Sequence, residues 1–252
     1  MIAAGAWGLV GASSLVLGAL IAFSTDLSPR VRGLILAFGA GTLLGAVAYE
    51  LIEEAVKVSA TGIDVALGFA AGAIVFWVGS IALDGMDAKA SAGADPDEDR
   101  AVTARRRSRS LGLAVVLGAV LDGIPESIVL GISLIGTGTV GIPILVAIFV
   151  SNIPESLSAS EDLAQSGMSR GRILTVWILV ALASGLAAAL GFGLLDTAAP
   201  GLVALIQAFA GGAILAMLAE TMIPEASEIG GRAVGLATCF GFAVAAALSF
   251  SG

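Results

Sequence analysis

Apolar runs of roughly 20 residues, the length a helix needs to cross a bilayer, recur along this chain. They lie near 3–23, 34–56, 64–84, 111–134, 139–161, 173–195, 201–223 and 233–250. Short polar stretches separate them, with one long stretch from about 85 to 110. The pattern predicts an all-α, polytopic membrane protein: one transmembrane domain over residues 1–252, with eight spanning helices. No basic residue precedes Arg30, so the first run lacks the charged start of a signal peptide and is read as a retained span.

Composition strengthens this reading. Hydrophobic residues make up 58% of the chain, more than a soluble domain needs, and 34 glycines suit close helix packing in lipid. The formal charge of −8 does not suggest nucleic-acid binding. A lone Cys239 permits no internal disulfide, and is read as a small buried residue. There is no histidine, so the commonest transition-metal ligand is missing.

Eleven of the twelve Lys and Arg residues fall in stretches following the first, third, fifth and seventh runs; Lys57 is the exception. Basic loops stay cytoplasmic. Eight spans with both termini outside place all eleven on the cytoplasmic face of a cell inner (plasma) membrane. The stretch 85–110 turns from acidic at Asp95-Pro96-Asp97-Glu98-Asp99 to basic at Arg105-Arg106-Arg107, and is expected to be a disordered cytoplasmic loop.

The second and seventh runs resemble each other. Ala37-Phe38-Gly39-Ala40-Gly41 aligns with Ala208-Phe209-Ala210-Gly211-Gly212, and the same register pairs Ile52-Glu53-Glu54-Ala55 with Ile223-Pro224-Glu225-Ala226. These runs cross in opposite directions, so spans one to three and six to eight read as inverted repeats around a central pair, a 3+2+3 arrangement characteristic of transporters.

The central pair carries the chemistry. Asp122-Gly123-Ile124-Pro125-Glu126-Ser127 and Ser151-Asn152-Ile153-Pro154-Glu155-Ser156 each set an Ile-Pro-Glu-Ser core in the middle of a span. Ionisable residues in hydrocarbon are costly and face partners or water. Each proline frees the carbonyl four residues back, Leu121 or Val150. Asp122 and Glu126, and likewise Ser151 and Glu155, have i, i+4 spacing. Together with Asn152 they form an all-oxygen cluster with no basic residue in either span. Two readings stand: a cation site, or a proton-bearing network in which the carboxyl groups bond Ser127, Ser156 or Ser158.

On these residues the chain resembles the ZIP (Zrt/Irt-like protein) family of divalent metal transporters, over nearly its whole length. The family's fourth span typically carries His-Asn-x-Pro-Glu-Gly, where this chain has Asp122 to Ser127. Its fifth carries His-Glu-x-Pro-Glu-Gly or a close variant, where this chain has Ser151 to Ser156. The resemblance implies that Glu126 and Glu155 are metal ligands and that Asp122, Ser151 and Asn152 occupy ligand positions with changed chemistry. A Glu-Pro pair of many members' sixth span is replaced by Ala188 and Ala189, which points to a single metal site. The resemblance implies zinc, iron or manganese. An all-oxygen donor set suits manganese or another hard cation, although carboxylates also bind zinc.

Acidic residues near span ends, Glu50 and Glu54 outside and Glu220 and Glu225 inside, are read as a transport path, with solvated interfacial residues as the other reading. The expected function is movement of a divalent cation toward the cytoplasm, by motion of the flanking repeats around the central pair. Its rivals are a carrier of another cation or proton-coupled substrate, and a non-transporting membrane protein with a structural ion site. No enzyme activity, cofactor or nucleic-acid partner is expected; the partners are the metal ion, the bilayer and, left open, a second copy in a homodimer.

Overall fold

The computed structural model describes residues 1–59, 62–92, 100–136 and 138–250; of residues 84, 86–92 and 100–115 only the backbone is described. The chain is helical, with no strand among the described residues. The helices are α1 (Ile2–Ser24), α2 (Pro29–Ala46), α3 (Glu53–Val58), α4 (Ile63–Ala92), α5 (Arg100–Ile132), α6 (Ile142–Gln165), α7 (Arg170–Leu195), α8 (Pro200–Met217), α9 (Ile223–Gly230) and α10 (Val234–Ser249). Ser28 caps α2 by accepting from the Val31 amide, and Pro29, Pro143 and Pro200 sit in the first turns of α2, α6 and α8, where no donor is lost.

Among the described residues six helices are long and apolar enough to cross a membrane: 2–24, 29–58, 63–83, 142–165, 170–195 and 200–249. The last folds back on itself. Gly211 of α8 lies against Val47 and Ile52, while Gly230 at the end of α9 lies against Gly33, so α8–α9 runs antiparallel to α2–α3. Gly41 faces Thr238, and Tyr49 stacks edge-on against Phe250 at 5.3 Å, so α10 runs parallel to α2. The chain therefore reverses at Gly231, whose φ of 71° suits a residue without a side chain.

α4 continues to Ala92 and α5 begins at Arg100, so both helices extend into the stretch 85–110 read from the sequence as loop. Ala, Met, Lys and Arg there favour continuation of a helix. The acidic run Asp95–Asp99 lies outside the described residues.

The two flanking sets of helices repeat each other's packing. A methyl added at Gly72 of α4 would collide with the Phe209 carbonyl of α8, and one added at Gly241 of α10 would collide with the Phe38 carbonyl of α2. Phe38 and Phe209 are partners in the sequence repeat. Likewise Gly41 meets Thr238 on α10, and its partner Gly212 meets Phe69 on α4. Small residues let backbones approach where lipid supplies no hydrophobic drive. Gly72→Ala or Gly241→Ala is expected to cost about 1–3 kcal/mol of stability by overpacking, read as a lowered thermal midpoint in detergent.

The repeats also share a distortion. α2 passes into α3 through a π-helical stretch, Val47–Ile52, and α8 into α9 through Leu218–Met222. In the register that pairs Ala37 with Ala208, Val47 pairs with Leu218, so both helices widen at the same place. Such widened turns often mark functional positions.

Candidate ion site

α5 and α6 hold the central motifs in the interior of the bundle. Both remain helical through Pro125 and Pro154. Their serines behave alike: Ser127 Oγ donates to the Gly123 carbonyl (2.6 Å) and Ser156 Oγ to the Asn152 carbonyl (2.7 Å). Each hydroxyl is thus engaged by its own helix, and neither bonds a carboxylate.

Asp122, Glu126, Asn152 and Glu155 line one small enclosed cavity, closed by Gly8, Ala12 and Leu15 of α1, Leu130, Ile148 and Ser184. Its volume is about 10 Å³, room for a single water-sized body. Glu126 is 2% exposed and Asn152 5%; Asp122 and Glu155 are half-buried. One carboxylate oxygen of Glu126, Oε1, is buried without a hydrogen-bond partner. Among the described residues no group of three His, Cys, Asp or Glu side chains forms a closed metal cluster. The donors surround a space, and they do not converge on a point.

Ser151 takes no part in this cavity. It is fully buried, donates to the Ile148 carbonyl (3.0 Å) and packs against Gly39 of α2. Its i, i+4 relation to Glu155 puts both on one side of α6, but that helix is enclosed on several sides, and a short hydroxyl bonds its own backbone before it reaches across.

One end of the molecule, which carries Met1, has a larger cavity of about 670 Å³. Glu50, Glu53, Glu54, Asp196 and Gln207 line it, as do Val129, Ile132 and Ile144. Lys57 pairs with Glu53 (3.0 Å) and Glu54 (3.7 Å), and Ser249 Oγ donates to Glu50 Oε1 (2.6 Å). Between the two cavities stand Val129, Leu130, Ile144 and Ile148, each no more than 3% exposed. This apolar collar separates the central carboxylates from the acids at the Met1 end.

The opposite end is tied by polar contacts. Ser158 Oγ donates to Glu225 Oε1 (2.6 Å), and Ser80 Oγ to Glu220 Oε2 (2.9 Å). Arg32 of α2 forms an ion pair with Glu161 of α6, each side chain about a fifth exposed. Glu50–Ser249 and Glu220–Ser80 are similar pairs, although the glutamates lie one residue out of the repeat register. Each glutamate leaves a π-helical stretch, and each serine lies on the last helix of its repeat. Arg32→Met is expected to destabilise the fold by about 1–2 kcal/mol, because Glu161 loses its partner in a largely buried place; thermal unfolding in detergent reads this directly.

The spacing motifs did not reveal the part played by α1 or by Ser184; Ser158, read as a carboxyl partner, bonds Glu225. Small residues such as Gly8 and Ala12 look the same wherever helices pack. Gln207, a lone amide in an apolar run, was a visible signal. Cys239, read from the sequence as buried, is exposed on α10; helices apolar all round do not encode which face meets lipid.

A bundle of membrane-length helices folded as inverted repeats, with carboxylates enclosed at its centre, defines a polytopic membrane protein of the transporter type. The family model of the ZIP zinc transporters matches residues 80–249, more than half of the chain, and the chain belongs to that family. It is a divalent metal transporter by family, and the family is one of transporters, not of enzymes. No curated protein matches it.

Proposed function

We propose that the chain carries a divalent cation through the cavity between α5 and α6, from the Met1 end, which faces outside, to the cytoplasm at the opposite end. Eight crossings follow when the long helix 200–249 is counted as two passes and α5 from about 111 onward as one. Both termini then lie outside, in the cell inner membrane. The basic residues support this orientation: every one but Lys57 falls at the end opposite Met1 or in the stretch 85–110, which joins α4 to α5 there.

The observation that carries the site assignment is the buried, unpartnered oxygen of Glu126 beside three further oxygen-bearing side chains. A buried acceptor without a donor is costly, and a cation satisfies several such oxygens together. Of the serines that the network reading names, Ser127 and Ser156 donate to their own helix and Ser158 to Glu225, so none donates to a central carboxylate. Asp122, Glu126, Asn152 and Glu155 act as ligands. Ser151 holds α6 against α2.

Glu50 and Glu54 collect cations at the outer cavity. Glu225, whose carboxylate accepts from Ser158 about one helical turn beyond Glu155, draws the ion onward, and Glu220 lies on the same release route. The ion cannot cross the apolar collar without movement, so the central pair and the flanking repeats shift relative to one another. Oxygen donors favour manganese or a similarly hard ion over zinc.

Uptake into proteoliposomes tests this proposal. Manganese, iron(II), zinc and magnesium are offered outside in turn, with an indicator within. Accumulation of at least one, with manganese ahead of zinc, is the expected result; no accumulation of any divalent ion would overturn the transport reading.

A further inference from the structure

We propose that Ser184 of α7 is a further ligand of the central cation, its hydroxyl oxygen adding a donor from a third helix to those of α5 and α6. The inference rests on the reading above, that the central cavity holds a divalent cation.

Ser184 stands apart from the other buried hydroxyls. Ser14, Thr42, Ser127, Ser151 and Ser156 each donate to a carbonyl of their own helix, and Ser160 accepts from Trp177 Nε1. Ser184 is only 6% exposed, and its hydroxyl makes no hydrogen bond among the described residues. A serine inside a helix ordinarily turns back to a carbonyl of the preceding turn, and a buried hydroxyl with no partner is costly.

Its surroundings leave one place for a partner. A methyl added at Gly8 of α1 would stand 3.1 Å from the Ser184 carbonyl, so the backbone of Ser184 is pressed against α1. The hydroxyl lies against α5: a methyl added at Gly123 would stand 3.5 Å from Ser184 Oγ. Gly123 directly follows Asp122 and precedes Glu126 by less than a turn, so Oγ rests on the stretch that carries both carboxylates. Toward lipid, Ser184 borders a groove whose other walls are Ala119, Val120, Gly123, Ile124 and apolar residues of α7, none with a side-chain oxygen. On its inner side it borders the central cavity, together with Asp122, Glu126, Asn152 and Glu155. That cavity has room for one water-sized body, so an ion within it lies against all its walls. A serine oxygen offers lone pairs and carries no charge. It resembles the water that hard cations keep among their ligands, and it adds a donor without adding to the repulsion among the carboxylates.

Equilibrium binding of manganese and of zinc to the purified full chain in detergent tests the inference. Ser184→Ala is expected to weaken manganese binding about tenfold, the lower end of what a disturbed metal site loses. The thermal midpoint of the metal-free protein is expected to stay where it is, because the hydroxyl has no bond to lose. Ser184→Cys is expected to raise the zinc-to-manganese affinity ratio about tenfold, since sulfur favours zinc; a residue that only shapes the fold would not move that ratio. Manganese binding unchanged in Ser184→Ala, or a ratio that does not move in Ser184→Cys, would overturn Ser184 as a ligand, and loss of binding in Glu126→Gln in the same assay would show that the central site stands without it. Neither ion bound by the intact chain would overturn this inference together with the reading it rests on.

Discussion

Glu126→Gln or Glu155→Gln is expected to lower metal uptake about 100-fold, while the protein stays folded. Loss of a group that merely orients a ligand costs metal sites about 10- to 100-fold in affinity or activity, so loss of a ligand belongs at the upper end. Glutamine keeps the shape and one oxygen donor but gives up the charge. In this site that charge faces Asp122 and its fellow glutamate across a cavity with no basic residue. Without a cation, three carboxylates in that space repel one another and are poorly solvated. Removing one therefore weakens the site for the ion without weakening the fold, since replacing a buried charge by a neutral group of similar volume is often neutral or stabilising. The signature is a split: a large loss in uptake, with a thermal midpoint unchanged or raised. Uptake that survives both substitutions would remove Glu126 and Glu155 from the transport site.

Asp122→His is expected to shift preference from manganese toward zinc by about tenfold, the equivalent of about 1.4 kcal/mol. Asp122 lines the central cavity one helical turn from Glu126, so an imidazole there reaches the same space. Nitrogen donors suit zinc, while carboxylate, carbonyl and water suit manganese and magnesium. The substitution also supplies the residue that the family pattern has at this position. Competition between the two ions in one uptake assay reads the ratio directly; a ratio that does not move would show that Asp122 does not contact the ion.

How far the sequence reaches is clearest residue by residue. The apolar runs announced the helices because the bilayer imposes a length. The paired Ile-Pro-Glu-Ser cores announced the centre because carboxylates in apolar runs have few structural uses. The structure brings Asp122, Glu126, Asn152 and Glu155 around one cavity, as their placement on two adjoining helices suggested. Ser151 follows a different rule. Its short side chain is satisfied locally, and spacing alone does not reveal that. The match between the second and seventh runs was legible as letters, but not the π-helical stretches that both contain, since one extra residue in a turn leaves no periodic trace in a helix apolar on every side. The polar ties at the end opposite Met1, Arg32–Glu161 and Ser158–Glu225, join residues far apart in the chain. They become visible only once the helices are packed.

The central claim is that one cation sits between α5 and α6, held by oxygen alone. Anomalous diffraction from crystals soaked in manganese tests it most directly. The account predicts a peak in the cavity bounded by Asp122, Glu126, Asn152 and Glu155, with carboxylate oxygens of Glu126 and Glu155 at about 2.0–2.6 Å from the ion. Peaks confined to the ends of the molecule, with none between α5 and α6, would contradict it.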